Sequence, residues 1–201
     1  MKRLVDVLGS TFIILLLSTI ILGVSILLKA KIGSPILYKQ ERIGYKEKPF
    51  TIYKFRTMTN ECDDNGKLLP SSERLIPFGR VLRRLSIDEL PQLVNVLKGD
   101  MSFVGPRPLL PRYLPYYTEN ERKRHDVRPG ITGLAQITGR NHLGWDERLA
   151  LDVHYVRNWS LWFDFKIITL TIVKVLKRED VVEDPGNHML NFDTERKSAN
   201  S

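Results

Sequence analysis

From Thr11 to Leu28 the chain reads TFIILLLSTIILGVSILL, a stretch without a single charge, and only Asp6 interrupts the uncharged run back to Leu4. Such a segment has little polar side-chain surface to offer water. As one helix it is long enough to reach across the hydrocarbon of a bilayer. The leading Met1-Lys2-Arg3 raises a cleaved signal peptide as a rival. Against that, the apolar stretch exceeds a usual signal core, and no small-x-small cleavage site follows it. Lys2 and Arg3 precede the segment while Lys29 and Lys31 follow it, so the positive-inside rule selects no direction. Both ends are satisfied if the segment enters the membrane and returns to the same side. Ser18, Thr19 and Gly23 lie near its middle, where a hydroxyl bonded to a freed carbonyl permits a break. On these residues alone a straight span and a re-entrant helix both stand.

Charge narrows the partners. The 201 residues carry 31 Lys and Arg against 23 Asp and Glu, a formal charge of +8, which implies an anionic partner. Nucleic acid, an anionic membrane surface and phosphorylated small molecules share that sign. The one cysteine, Cys62, excludes an internal disulfide and a cysteine-based zinc site. Residues 58–72, around Asp63-Asp64-Asn65-Gly66, read as a surface loop, because the full ligand spacing and terminal Glu of an EF-hand are missing. No internal repeat is present. The expected organisation is a membrane anchor over 1–30, a cytosolic unit over 31–185 and a polar, disordered tail over 186–201.

Within the cytosolic unit, residues 35–57 alternate in strand fashion around GYKEKP and predict a hairpin. Lys54 and Arg56 are two apart on its second strand and share a face, either as a phosphate-holding pair or as a solvated edge. FGRVLRRLS places Arg80, Arg83 and Arg84 on one helical face leading to RRLSIDELPQL, where Asp88 and Glu89 stand side by side. Ser86 to Glu89 has the spacing of a capping box, which would make the pair a helix start. Pro91 opposes that reading, since it would fall inside the helix so begun; a helix starting at Pro91 leaves the carboxylates on the bend before it. Gly99 is placed to end that helix.

Farther on, GPRPLLPRYLP excludes helix and central strand by its prolines, and holds Arg107 as a cation on a rigid stem between Pro106 and Pro108. RPGITGLAQITGRN is glycine-rich without GxGxxG or a Walker lysine, so a phosphate role there falls to Arg128 and Arg140. WSLWFDFKIITLTIVKVLK, residues 159–177, predicts a helix that is either core or laid in the plane of a membrane. Its tryptophans and its Lys166, Lys174 and Lys177 favour the second.

Together, the apolar N-terminus, YKFRTM, FGRVLRRLSIDELPQLVNVLKGDMSFVGPRP and RPGITGLAQITGRN, in this order, resemble the bacterial sugar transferases. The likeness covers about residues 1–178 and is nearest to the small monotopic, PglC-like polyprenol-phosphate phosphoglycosyltransferases. The resemblance implies an α+β fold with an N-terminal re-entrant membrane helix, a small β-hairpin and a mostly helical catalytic unit carrying an amphipathic interfacial helix. It implies transfer of a phosphosugar from a UDP-sugar to polyprenol phosphate, with Asp88 as nucleophile and Glu89 as ligand of Mg2+. It marks Lys54, Arg107, Arg140 and Asp152 as active-site positions, and places Pro106-Arg107-Pro108 near the uridine. It sets the protein at the bacterial inner membrane among lipids, facing the cytoplasm, without a nucleic-acid partner; a homodimer is compatible with it. The family breaks its membrane helix at Ser-Pro, and the corresponding pair here is Ser18-Thr19. The rival expectation is a membrane-tethered basic module for nucleic acid or acidic lipid, built on Arg80, Arg83 and Arg84.

Overall fold

The computed structural model describes residues 1–139, 143–177 and 191–199. Among them no single helix is long and apolar enough to cross a membrane. The apolar segment is instead two helices, α1 (Lys2–Leu16) and α2 (Ser18–Ile32), bent by 62°. The break falls at Leu17, one residue before the expected Ser18-Thr19, and Thr19 lies inside α2. Ser18 still acts at the bend, its hydroxyl donating 2.8 Å to the Leu15 carbonyl.

Both ends of this bent pair rest on the same body. Lys2 donates to the Val104 carbonyl at 3.0 Å, to the Tyr155 hydroxyl at 3.1 Å and to the Asp164 carboxylate. Arg3 donates to the carbonyls of Val96 and Leu97. Asp6, fully buried, accepts from the Ser102 hydroxyl at 2.9 Å and the Phe103 N–H at 3.1 Å. Lys2 and Arg3, two of the four charges that flank the apolar segment, are therefore also structural ties. At the far end Val24 and Leu28 pack with Phe55 and Leu82, and Arg56 donates to the carbonyls of Ile32 and Gly33. Leu8, Phe12, Leu15, Leu16, Leu22 and Ile26 stay exposed between these contacts. An exposed apolar surface of this extent marks an interaction site.

The predicted hairpin is present: β1 (Leu37–Ile43) pairs antiparallel with β2 (Pro49–Phe55), Leu37 opposite Phe55 and Ile43 opposite Pro49. Past the 58–72 loop and the single turn α3 (Ser71–Arg74) come α4 (Pro77–Arg84) and α5 (Gln92–Lys98). Gly99 ends α5 at φ 92°, a left-handed position that suits glycine. Asn95, fully buried, locks α5 to β2. Its side chain donates to the Thr51 carbonyl at 2.7 Å and accepts from the Tyr53 N–H at 3.2 Å.

Two three-residue strands, β3 (Ser102–Val104) and β4 (Gly130–Thr132), pair in parallel, which the glycine-rich sequence did not announce. The pairing needs Gly130, where a Cβ would come within 2.1 Å of the Gly105 nitrogen. The proline-rich stretch is not free of helix either: Pro111–Tyr116 forms a 3-10 segment, with Pro111 at its first turn, where a missing N–H costs nothing. The remaining helices are α6 (Glu119–Arg122), α7 (Leu134–Thr138), α8 (Trp145–Arg157), α9 (Leu161–Lys177) and α10 (Phe192–Ala199). The last corrects, over residues 192–199, the expectation of a disordered tail spanning 186–201, of which 186–190, 200 and 201 lie outside the described residues. Phe192 is fully buried against Tyr113, Tyr117 and Trp145, and this aromatic cluster orders an otherwise polar segment.

Ser160 caps α9, accepting from the Phe163 N–H at 3.1 Å. One face of α9 buries Asp164 and Ile167 with Val104 and Tyr155, while Trp162, Phe165, Ile172 and Leu176 are exposed together on another. The helix is thus apolar on both sides, as suits an element with protein on one side and an apolar medium on the other.

Candidate functional site

The site forms where α4 stops. Ser86 adopts a left-handed conformation, φ 55° and ψ 19°, rare and strained for a residue with a Cβ. The chain reverses there and Ile87–Glu89 closes one 3-10 turn, in which the Glu89 N–H donates to the Ser86 carbonyl at 3.2 Å. The Ser86 side chain makes no capping bond, so the expected box is absent. A capping box exists instead at Thr118 and Glu121, on α6. Pro91 sits at the start of α5, leaving Asp88 and Glu89 on the bend before it. Ile87 and Leu90 flank the carboxylates and pack against the Val24, Leu28, Phe55 and Leu82 cluster. The carboxylate-bearing turn therefore shares one hydrophobic cluster with the C-terminal half of α2.

The two carboxylates meet opposite environments. Glu89 Oε1 accepts from Lys54 Nζ at 2.5 Å and from Arg107 Nη2 at 3.0 Å. Burial alone would raise the Glu89 pKa, but Arg107 and Lys54 overcome it and hold the carboxyl down at about 2. Asp88, 8% exposed, has no hydrogen bond or ion pair among the described residues. Burial and the neighbouring Glu89 charge raise its pKa to about 6, against the pull of Lys54, Arg83 and Arg107. Adjacent acids driven apart in this way take different roles. One is a permanent anion, and the other a basic carboxylate that is still mostly ionised at neutral pH.

Of the remaining expected residues, Lys54 and Arg107 join this cluster. Arg56 does not: its guanidinium is engaged at the end of α2 and makes no hydrogen bond to either carboxylate. Arg128 donates to the Gly99 carbonyl at 2.8 Å and lies over the Tyr45 ring. Asp152 is buried one layer back, paired with Arg124. Pro106 and Pro108 flank Arg107 and contribute their carbonyls to its support. Arg140 lies outside the described residues. Arg83 donates to the Thr57 hydroxyl at 2.9 Å and turns its charge toward Asp88, which removes one cation from the open basic face that a polyanion-binding module requires.

Sequence reasoning missed Arg124, because nothing local distinguishes it in ERKRHD, and it missed His125. His125 is buried against Tyr117, and burial followed by the Arg124 charge lowers its pKa to about 3, so it is neutral. It also borders a surface cavity of about 290 Å³ with Lys46, Glu47, Arg122 and Asp126.

For the expected Mg2+, no group of three or more His, Cys, Asp or Glu among the described residues forms a metal cage. Mg2+ binds through one or two carboxylates plus substrate phosphates and water and needs no such cage. Glu89 is ionised at any physiological pH and only its Oε1 is engaged, so the hard-oxygen donor set of Glu89 with Asp88 beside it fits such an ion.

Comparison with known proteins matches residues 1–178 to the model of the bacterial sugar transferase family. An uncharacterized sugar transferase, EpsL, of Bacillus subtilis (strain 168) is 54% identical over 189 residues, 94% of this chain and 93% of that protein. The exopolysaccharide production protein ExoY of Rhizobium meliloti (strain 1021) is 38% identical over 191 residues, 87% of this chain and 84% of its own. A UDP-glucose:undecaprenyl-phosphate glucose-1-phosphate transferase of Escherichia coli (strain K12) is 39% identical over 186 residues, 87% of this chain but 40% of the longer protein.

Proposed function

The chain belongs to the bacterial sugar transferase family, and we propose that it transfers a sugar phosphate from a UDP-sugar to a polyprenol phosphate, releasing UMP. The observation that carries this reading is the unequal carboxylate pair, with Glu89 doubly bound by cations and Asp88 buried beside it without a partner among the described residues. The activity for which the Escherichia coli relative is named, on undecaprenyl phosphate, supports the substrate class.

The chemistry proceeds in two displacements. An Asp88 carboxylate oxygen attacks the phosphorus that bears the sugar. The bond from that phosphorus to the oxygen bridging to UMP breaks, and UMP leaves with the electron pair. An oxygen of the lipid phosphate then attacks the same phosphorus and the Asp88 carboxylate departs, leaving a lipid diphosphate sugar. The sugar C1–O bond is untouched, so anomeric configuration is kept. A raised pKa makes Asp88 the better nucleophile of the pair, while Lys54 and Arg107 supply positive charge where the diphosphate must approach. Mg2+ bound at Glu89 would add charge neutralisation at the phosphoryl oxygens.

The placement of the turn answers the problem of two substrates in two phases. Ile87 and Leu90 of the turn pack against the cluster to which Val24 and Leu28 of α2 belong, while the exposed apolar faces of α1, α2 and α9 offer surfaces for lipid. Both ends of the bent pair dock on one body, which supports re-entry with both ends on the same side over a straight span. Such a position keeps the carboxylates at headgroup depth, where a lipid phosphate resides. In the decisive experiment, UMP release is measured from a UDP-sugar panel with polyprenol phosphate and Mg2+, alongside mass spectrometry of the chain without acceptor. A phosphosugar on Asp88 and loss of turnover in Asp88→Asn are expected. Near-normal turnover of that variant removes Asp88 as nucleophile.

A further inference from the structure

Arg107 stands in a segment that cannot hold itself. Its neighbours Pro106 and Pro108 have no N–H, so two of the three residues offer the fold only carbonyls. Each of the three carbonyls is taken by a donor from elsewhere in the chain. Gly130 N–H donates to Pro106 at 3.1 Å, Arg124 Nη2 to Arg107 at 2.7 Å and Arg42 Nη1 to Pro108 at 3.4 Å. Arg124 is the buried one of the two arginines. Its side chain and that of Asp152 are each 2% exposed, and its Nε and Nη2 lie 3.0 and 2.7 Å from one oxygen, Asp152 Oδ2. Its third nitrogen reaches the Tyr117 hydroxyl at 3.4 Å.

We infer that Arg124, oriented by Asp152, is the positioning residue that fixes Arg107 against Glu89. The pair acts on the reaction through the backbone of residue 107 and does not touch substrate. This rests on the proposed sugar-phosphate transfer and deepens it. A buried ion pair adds little net stability over an apolar replacement, which leaves room for a geometric role. The geometry supplies one in the contact line Asp152, Arg124, Arg107 carbonyl, Arg107 guanidinium, Glu89. The Arg107 side chain is 44% exposed and its one ion pair among the described residues is with Glu89, so a fixed starting point for its stem decides whether the guanidinium meets the carboxylate. Asp152, at 2% exposure, is closed to a direct contact with substrate.

The test is a double-mutant cycle on the full chain in lipid nanodiscs, with UMP release expressed per folded molecule. Arg124→Lys keeps a cation beside Asp152 but cannot span both Asp152 and the Arg107 carbonyl. Arg124→Gln with Asp152→Asn removes both charges, leaving no buried ion unpaired to unfold the protein. Each is measured with Arg107 intact and in Arg107→Ala. With Arg107 intact, both changes are expected to lower kcat/KM at least about tenfold. The loss should divide between kcat and KM in the proportion found for Arg107→Ala alone. In the Arg107→Ala background the same changes should cost less than about twofold, because the residue they position is gone. Equal losses in the two backgrounds overturn the inference, as does an unchanged rate with Arg107 intact. Failure of the unaltered chain to release UMP from any UDP-sugar removes the transferase reading itself, which this cycle tells apart from a failed coupling.

Discussion

Four aspartates are buried among the described residues, and three of them differ from the fourth. Asp6 accepts from Ser102 and Phe103, Asp152 accepts from Arg124, and Asp164 accepts from Lys2, from Tyr155 at 2.6 Å and from Trp159 at 3.1 Å. Asp6 and Asp164 tie α1 to the body, and Asp152 sits behind Arg107. Asp88 is buried as they are, yet has no hydrogen bond. Its oxygens are not sealed from solvent, so an open carboxylate, unbonded among the described residues, stands where the other three are tied into the fold. The difference separates carboxylates that hold the structure from the one left available for chemistry.

The largest effect that would break this contrast is on turnover. Asp88→Asn is expected to lower UMP release by about a thousandfold or more, as loss of a nucleophile does. The same change should raise stability at pH 7. The folded pKa of Asp88 is about 6 against an ordinary value of 3.8, so the folded state is penalised as pH rises through that window. By linkage the penalty at pH 7 is on the order of 3 kcal/mol, which denaturant unfolding of the variant should recover in part. Asp152→Asn should move the other way, losing about 3–5 kcal/mol because Arg124 is left as an uncompensated buried charge. If both variants shift stability in the same direction, the division between structural and reactive aspartates fails.

The pH profile sharpens the contrast within the site. Activity should fall as pH drops through about 6, where Asp88 takes a proton, while Glu89, at about 2, remains ionised throughout. Log kcat/KM against pH should show one acid limb near that value. A limb below pH 4 would mean that Asp88 is not the basic partner.

Lys2→Met tests the anchor. It removes a donor to Asp164 while leaving Tyr155 and Trp159 in place, and should cost about 1–3 kcal/mol, read by unfolding, with the site geometry preserved. The smallest change expected is from Ser86→Gly. It relieves the left-handed strain at φ 55° and should raise stability by about 1 kcal/mol or less, the gain limited by the added freedom of the unfolded chain.

Much of this was legible in the chain. The apolar anchor, the hairpin, the end of α5 at Gly99 and the bend before Pro91 follow from side-chain periodicity and local backbone sterics, which act over a few residues. The break at Leu17 was misplaced by one position because hydroxyl-bearing residues mark where a bend is tolerated, not where packing puts it. The order of residues 192–199 was hidden because it depends on one phenylalanine meeting aromatics from Tyr113 and Trp145.

By itself, then, the sequence determined that an uncharged apolar segment would precede a basic unit carrying two adjacent carboxylates just before a proline. The tertiary structure alone decided which cations serve that pair. Lys54 lies 35 residues from Glu89 in the chain and Arg107 lies 18, and Lys54 faces the site while Arg56, two residues away, is spent on the anchor. It also decided that Asp88 and Glu89, chemically near-twins in the sequence, differ in basicity. Burial and ion pairing fix a pKa, and both are set by long-range contacts that no local pattern encodes.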